Sequence, residues 1–403
     1  MLAPGTFALT LLLAALSATG PISTDLYLPS LPAIAAGLNS DASHVQFTIS
    51  AFLIGFAFGQ IVYGPFSDRH GRKPLLLVSM GIFLAASAMC VFATSIEMLV
   101  IARVLQAFGG AGGVVLSRAV VRDLYTGARA GREMSIISSV MAFAPVLAPM
   151  FGGVLQTAFG WRGVFATLGL IGACVTLATV FLLPETLKVR AAAKVSLGSI
   201  WESYRVVFRN GGYRSYLAIC TAIYAGLLAW LTGAAFVLQG IYRLSAFEFG
   251  FVFAIGSAGF LAGSNIAARI VTRLGIDKVI GIGAVLAAVG GTCVLLSVML
   301  GFKSSLTIVL PVAIYLCGLG MVLPQSIAGA MTPFPERAGA ASSLFGFIQQ
   351  TTAAASGAVV GLLLRYGAWP LAVAMALMGL TTLIIWIATR GVRKRNAALH
   401  HHK

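Results

Sequence analysis

Gly64-Pro65-Phe66-Ser67-Asp68-Arg69-His70-Gly71-Arg72-Lys73-Pro74 is a charged segment between two apolar runs, each long enough to cross a bilayer. Three cations lie within the five residues from Arg69 to Lys73. Each would cost roughly 2.5–3.5 kcal/mol at the centre of a membrane, so this segment must lie in water. Because Lys and Arg are enriched in cytoplasmic loops, we predict that this water is cytoplasmic.

The composition of the whole chain is that of an integral membrane protein. Of its 403 residues 59% are hydrophobic and 9% are charged, with a mean hydropathy of +0.96. An ordinary soluble domain has about 25% charged residues. The net charge of +16 could suggest nucleic-acid binding. The Lys and Arg residues, however, form short clusters between apolar runs, which indicates membrane topology and no nucleic-acid partner.

The apolar runs predict an all-α fold with twelve transmembrane helices in two pseudo-symmetric bundles of six. Cutting the chain at charges, Pro and Gly gives the spans 6–36, 44–65, 74–94, 97–120, 131–158, 161–183, 213–240, 245–271, 278–301, 304–331, 337–365 and 368–390. The first apolar run continues too far for a cleaved signal peptide, so it is taken as the first span.

The distribution of basic residues predicts the orientation. All but five of the 27 Lys and Arg residues lie on the side of the charged segment, the C-terminal tail included. Of the five, Arg103 lies within a span, and the opposite side carries Arg162, Arg243, Lys303 and Arg365. Both termini are therefore expected in the cytoplasm, in a multi-pass protein of a bacterial inner membrane.

Polar stretches divide the chain into regions. The longest, between spans six and seven, predicts a cytoplasmic linker at 184–212 between an N-terminal bundle at 1–183 and a C-terminal bundle at 213–395. A second charged segment, Arg269 to Lys278, follows span eight as the first follows span two, which indicates an internal repeat. The end, 396–403, contains His400-His401-His402-Lys403 and resembles the remnant of an expression tag.

No enzyme or cofactor site is indicated. The five cysteines, Cys90, Cys174, Cys220, Cys293 and Cys317, lie in apolar runs without a CxxC or Cys/His spacing, so neither disulfides nor metal are expected. No phosphate-binding G-x-x-x-x-G-K-[ST] loop is present, so ATP is not implied. A membrane enzyme would need clustered acids, His or metal ligands inside the spans, and no such cluster exists.

Twelve spans in two sixes with the pattern G-x-x-x-D-R-x-G-R-K after span two resemble the major facilitator superfamily. Two further motifs agree with the drug:proton antiporter branch: Arg103 to Gly110 in span four, and Pro145 to Gly153 in span five. With Thr24 to Pro29 in span one, the chain resembles the Bcr/CflA group, which includes bicyclomycin, chloramphenicol and florfenicol exporters.

Asp25 and Arg103 are the predicted proton-coupling residues. A carboxylate deep in an apolar span is expensive to bury and tends to mark an ion or substrate path. A carboxyl balanced between burial and a nearby cation can take up a proton on one side and release it on the other. The resemblance implies that Arg103 faces the central cavity. The alternatives are a structural Asp25 paired permanently with an arginine, and an Arg103 that makes only a static hydrogen bond between helices.

The charged segment supplies a predicted cytoplasmic gate, with Asp68, Arg69, Arg72, Arg122 and Asp123 as its members. The resemblance implies that Asp68 and Asp123 hold the gate through salt bridges and contacts with helix dipoles. Whether Arg69 or Arg72 is the partner stays open. The alternative is that these charges only anchor the topology, in which case any basic residue should serve.

Span five and the aromatic residues bear on the substrate. Pro145, Pro149, Gly152 and Gly153 form the antiporter motif, whose prolines kink the helix and whose glycines let a neighbouring backbone approach. The expected substrate cavity includes Tyr27, Tyr224, Trp230 and Gln349, a wall of rings and amides that suits an amphipathic, largely neutral ligand. Packing against lipid or other helices would account for these residues as well.

The predicted function is proton-coupled export of phenicol-like or bicyclomycin-like drugs by alternating access, by a monomer that uses the proton gradient and no cofactor. Cation-preferring relatives carry a second acid in span one where this chain has Ser17, so lipophilic cations are less favoured. The alternative is a proton-coupled uptake symporter for a small nutrient, since the fold does not determine the direction of transport.

Overall fold

The computed structural model describes residues 6–125, 127–187, 197–302, 304–334, 337–393 and 395. Within these residues the secondary structure is helical, without β-strands. The helices are α1 (Phe7–Asp25), α2 (Leu31–Gly37), α3 (Ala42–His70), α4 (Arg72–Val91), α5 (Ile96–Leu124), α6 (Gly127–Leu182), α7 (Leu197–Arg209), α8 (Gly211–Ala235), α9 (Ala246–Leu274), α10 (Ile276–Met299), α11 (Leu306–Met331), α12 (Ala338–Leu363) and α13 (Trp369–Ala388). A 3₁₀ turn (Leu28–Ser30) joins α1 to α2, and a π-helix (Phe236–Ile241) extends α8.

The described residues contain eleven segments that are long and apolar enough to cross a membrane. One of them, Phe143–Leu182, is 40 residues long, about twice what a crossing requires. It lies in α6, where Gly160 leaves the helical region with φ 68° and ψ 179°, so two helices meet there. Counted as two crossings, α6 brings the total to the twelve that the sequence predicts, and the all-α prediction is confirmed.

The charged segment at 64–74 is more helical than its sequence suggests. Helix α3 continues to His70 and α4 begins at Arg72, so the reversal is made at Gly71 alone. Gly71 has φ 101°, a conformation that only glycine adopts without strain. Pro74 falls in the first turn of α4, where the missing N–H costs no hydrogen bond. The charges therefore lie on helix ends, where their positions are well defined.

The chain forms two compact units. One comprises Met1–Lys194 with Ser245–Gly250, and the other comprises Val195–Leu244 with Phe251–Lys403. Within the stretch predicted as a linker, Leu197–Arg209 forms α7, which belongs to the second unit. The Tyr204 hydroxyl on α7 lies 3.1 Å from Ser343 Oγ on α12, so this part of the stretch is packed against its own unit.

In the first unit, small residues bring α5 into backbone contact with its neighbours. A side chain at Gly113 would overlap the Leu16 carbonyl of α1, and one at Gly109 would overlap backbone atoms of Ser79 and Phe83 on α4. Helices in membranes commonly associate through such small residues, because the apolar solvent supplies no hydrophobic drive between them. This packing places the Arg103 side of α5 directly beside α1.

Candidate functional site

The first crossing is broken next to Asp25. Helix α1 contains Pro21 and ends at Asp25, the 3₁₀ turn follows, and α2 restarts at Leu31. Pro29 lies in the turn and Pro32 in the first turn of α2, and neither can donate a backbone hydrogen bond. Irregular backbone within a membrane is tolerated only beside protein or a watery cavity. The break therefore marks the interior of the unit and not its lipid-facing surface.

The Asp25 side chain is buried in this break, with 5% of the residue exposed. Among the described residues no hydrogen bond or ion pair joins its carboxyl group to another side chain. In this conformation, therefore, Asp25 does not form the structural pair with an arginine that was the alternative to a coupling role. An isolated buried carboxylate is costly, and protonation removes the larger, ionic part of that cost.

Arg103 is fully buried on α5 and is tied to the same helix end. Its Nη1 donates to the backbone carbonyl of Ser23, two residues before Asp25, at 3.0 Å, and to Gln106 Oε1 at 2.6 Å. Gln106 Nε2 in turn donates to Ser87 Oγ on α4 at 2.9 Å. Arg103 thus connects α5 to the backbone that carries Asp25 without pairing with the Asp25 carboxyl.

Aromatic rings surround the Arg103 guanidinium. Its central carbon lies 4.2 Å from the centroids of Tyr27 and Phe52 and 5.8 Å from that of Phe165. Stacking of a cation on ring faces is favourable, and more so where water is excluded. The Nε and Nη2 atoms of Arg103 have no hydrogen-bond partner among the described residues. The cage stabilises the charge and leaves these two donor nitrogens available.

The antiporter motif packs against the break in span one. A side chain at Gly152 on α6 would overlap the carbonyl oxygen of Leu26, the residue that follows Asp25. Pro145 and Pro149 lie inside the same helix. Gly153 makes a similarly close approach to the Ala246 carbonyl at the start of α9. The motif therefore places α6 in backbone contact with the Asp25 segment.

Arg72 is the centre of the predicted gate. Its Nη1 lies 2.6 Å from Asp68 Oδ1 and donates to Ser67 Oγ at 2.5 Å, while its Nε donates to Asp123 Oδ2 at 2.8 Å. The Arg72 side chain is 8% exposed, that of Asp123 19% and that of Asp68 49%. One guanidinium therefore joins the ends of α3, α4 and α5, and the question of the partner is answered by Arg72. Arg69 and Arg122 are exposed and form no ion pair with other described residues.

Glu185, which the sequence analysis did not select, completes this cluster. Its carboxylate accepts the backbone N–H groups of Arg72 at 3.0 Å and Lys73 at 3.2 Å, the first donors of α4. A carboxylate at a helix N-terminus satisfies free donors and interacts favourably with the helix dipole. Thr186 Oγ1 also donates to Asp123 Oδ2 at 3.2 Å. The signal in the sequence was an acid directly after span six.

Glu133 is a second acid that sequence reasoning missed. It is 6% exposed near the start of α6, where it accepts a hydrogen bond of 2.5 Å from Thr10 Oγ1 of α1. Phe52 and Phe165 of the Arg103 cage were also missed. An aromatic residue in an apolar span carries no sign of whether it faces a cation, a neighbour or lipid.

In the second unit, Trp230 is fully buried and stacks on Phe253 with ring centroids 5.7 Å apart. Gln349 is 8% exposed and its Nε2 donates to Cys220 Sγ at 3.1 Å. The third cavity residue predicted for this unit, Tyr224, is partly buried on α8. These contacts join helices of the same unit, so they are also compatible with the alternative that these residues serve in packing between helices. Tyr27, the fourth predicted cavity residue, is fully buried in the first unit and hydrogen bonds with Thr48 Oγ1 at 3.0 Å.

The second unit has its own charged clasp at the start of α10. Arg393 donates from Nε to Asp277 Oδ1 at 2.6 Å and from Nη2 to the Trp386 carbonyl at 2.8 Å. Trp386 Nε1 donates to the backbone carbonyl of Asp277 at 3.1 Å. Arg393, which follows the last span, thus contacts the start of α10, and Glu185, which follows span six, contacts the start of α4 in the first unit. Arg393 bonds a carboxylate there, whereas Glu185 bonds backbone N–H groups.

Similarity to known proteins agrees with this architecture. Residues 7–358 match the family model described as Major Facilitator Superfamily. The chain is 30% identical over 384 residues to Multidrug resistance protein D of Escherichia coli, covering 95% of this chain and 96% of that protein. It is 30% identical over 357 residues to the Bicyclomycin resistance protein homolog of Haemophilus influenzae, covering 88% and 89%.

The fold is similar to that of a crystallised POT family transporter in complex with 5-aminolevulinic acid, with a TM-score of 0.78 at 12% identity over 97% of this chain and 98% of that one. At this identity the likeness concerns the fold alone. These two relatives in sequence are named for multidrug and bicyclomycin resistance, and the family is one of transporters. The chain belongs to the Major Facilitator Superfamily, as a multi-pass membrane transporter with Bcr/CflA-type relatives.

Proposed function

We propose that this protein is a proton-coupled antiporter that exports amphipathic, mostly neutral drugs by alternating access. The observation that carries the proposal is the Asp25 carboxyl, buried at a helix break without an ion-pair partner among the described residues. Such a group is cheap to bury only when protonated, so opening its surroundings to water favours release of the proton. The proton and the drug would then bind near the same helix break in turn, one when it opens to one side of the membrane and the other when it opens to the opposite side.

Arg103 supports the coupling role of this break. Its guanidinium is held by the Ser23 carbonyl, two residues before Asp25, and by the faces of Tyr27 and Phe52, and it is not bonded to the Asp25 carboxyl. When Asp25 ionises, the new charge would attract the Arg103 guanidinium, whose Nε and Nη2 atoms have no other partner among the described residues. Movement of α1 relative to α5 would then follow the protonation state.

A mostly neutral substrate is supported by the residues near the break. Ser17 is fully buried on α1, at the position where the resemblance places an acid in cation-preferring transporters. The relatives are named for multidrug and bicyclomycin resistance. One proton entering down 100 mV supplies about 2.3 kcal/mol, which is enough to drive a useful gradient of a neutral drug.

The test is drug-induced proton release from everted vesicles and resistance in a pump-deficient host, with phenicols, bicyclomycin and lipophilic cations as probes. We expect Asp25→Asn to abolish both signals while the protein still reaches the membrane. Asp41→Asn is the matched control, because Asp41 is the next acid along the chain and its side chain is 85% exposed.

Full proton exchange in Asp25→Asn would refute the role of Asp25. Proton-driven accumulation of the probe in the opposite direction would favour the uptake symporter. A proton response to lipophilic cations but not to phenicols or bicyclomycin would contradict the preference for neutral drugs.

A further inference from the structure

The second unit contains a pocket whose lining includes none of the residues predicted for proton coupling, substrate binding or the gate. Its volume is about 480 Å³, and three chain segments line it: Ile241–Arg243 at the end of the π-helix, Ser297–Phe302 at the end of α10, and Tyr366–Trp369 at the start of α13. All three segments lie where membrane spans end. On α10 the pocket is at the end opposite Asp277 and its partner Arg393. The pocket therefore opens at one membrane–water boundary.

The lining combines aromatic rings with a cation. Tyr242, Phe302, Tyr366 and Trp369 contribute rings, and Arg243 contributes a guanidinium. Tyr and Trp are favoured at the depth of lipid headgroups, because their rings are apolar and their polar atoms reach water. Arg243 is exposed and has no hydrogen-bond or ion-pair partner among the described residues. A charged donor is thus available to a ligand.

Positive charge is concentrated around this pocket, although most Lys and Arg residues of the chain lie on the other side of the membrane by the predicted topology. Four basic residues are predicted on the side opposite the charged segment, and two of them belong to the described turns around the pocket: Arg243, and Arg365 directly before Tyr366. In the sequence a third, Lys303, follows Phe302. Arg365 lies 4.9 Å from the Tyr366 ring and donates to its hydroxyl at 3.0 Å. The acid nearest to Arg243 along the chain is Glu248, and its carboxylate accepts hydrogen bonds from the backbone N–H and the hydroxyl of Ser245.

The backbone here is also unusual. Arg243 has φ 57°, a left-handed conformation that a residue with a long side chain seldom adopts. It follows a π-helix, an element that occurs frequently at functional sites. The Tyr242 hydroxyl donates to the Phe302 carbonyl at 3.0 Å, which joins two of the three turns. The fold thus holds a strained cation at the wall of a preformed pocket.

We propose that this pocket binds the headgroup of an anionic phospholipid from the leaflet opposite the charged segment. The phosphate would lie against Arg243, the glycerol against the rings, and the acyl chains against the exposed apolar side chains of Ile241, Met299 and Leu300 at the rim. Phosphate is recognised well by guanidinium groups. The apolar rim distinguishes a lipid from free phosphate.

The full-length protein is purified in detergent, and bound lipid is counted by native mass spectrometry after addition of phosphatidylglycerol or phosphatidylcholine with identical acyl chains. Inorganic phosphate is the competing probe. We expect preferential retention of phosphatidylglycerol, and about fivefold weaker retention in Arg243→Asn. Asparagine tolerates the left-handed backbone, so this variant removes the charge without adding strain. Arg243→Lys should retain most of the binding.

Arg162→Gln is the matched control, since Arg162 is the remaining basic residue on that side of the chain and lies in the other unit. It should leave retention unchanged. Equal retention of the two lipids, or undiminished retention of phosphatidylglycerol in Arg243→Asn, would overturn the proposal. Displacement of the lipid by millimolar phosphate would also overturn it, because the pocket would then be a site for soluble anions.

Discussion

Replacing Arg72 by glutamine tests whether the gate cluster is a specific structure or only a patch of positive charge. Arg72 bonds Asp123 at 2.8 Å and Ser67 at 2.5 Å in surroundings where its own side chain is 8% exposed. Both are hydrogen bonds of a charged guanidinium, which contribute about 1.5–3 kcal/mol each, and the neutral amide of glutamine can recover about 1–2 kcal/mol of the total. Asp68 is 49% exposed and can be hydrated instead, so its pair adds little. The expected loss in the free energy of unfolding is about 2–4 kcal/mol.

Arg69→Gln is the matched control, because Arg69 carries the same charge three residues earlier, is exposed, and forms no ion pair with the described residues. Its cost should stay within about 0.5 kcal/mol. Arg72→Lys separates charge from geometry, since an ammonium group cannot reproduce the planar set of donors that reaches both Asp68 and Asp123. We expect it to recover only part of the loss.

The assay is unfolding in detergent, followed by a dye that fluoresces on reaction with thiols. Cys90 in the first unit and Cys220 in the second are buried and free, so their labelling reports unfolding. Equal stability of Arg72→Gln and Arg69→Gln would refute the reasoning. Full recovery in Arg72→Lys would show that the cluster acts as a topology signal, for which any cation suffices.

Two further variants test close contacts. Gly152→Ala should slow drug export and destabilise the protein by about 1–3 kcal/mol, because the added methyl group overlaps the Leu26 carbonyl. Gly81→Ala is the control, because open space surrounds that position. Equal transport by the two variants would contradict the packing role of Gly152. Arg393→Lys should cost about 1–3 kcal/mol in thermal unfolding, since a lysine cannot bond Asp277 and the Trp386 carbonyl together. If Cys220 became labelled at the same temperature in Arg393→Lys as in the unsubstituted protein, the prediction would be refuted.

The amino-acid sequence was sufficient for the fold, the charged turns and the burial of Asp25. Each follows from the free energy of placing a group in hydrocarbon, which depends on the residue type and its neighbours along the chain. The membrane spans are long and strongly apolar, so their existence is easily recognised. The charged segment was recognised for the same reason, although its helical geometry and the single-residue reversal at Gly71 were not.

Tertiary structure alone decided which groups meet. Arg72 and not Arg69 binds Asp123, Glu185 caps α4, and Arg103 rests among aromatic rings instead of pairing with Asp25. Such choices depend on how far each helix is rotated and shifted against its neighbours, a displacement of a few ångströms that side-chain packing sets. The local sequence shows that a charge must be buried at a cost in free energy. It does not show which residue offsets that cost, because the partner comes from a distant part of the sequence.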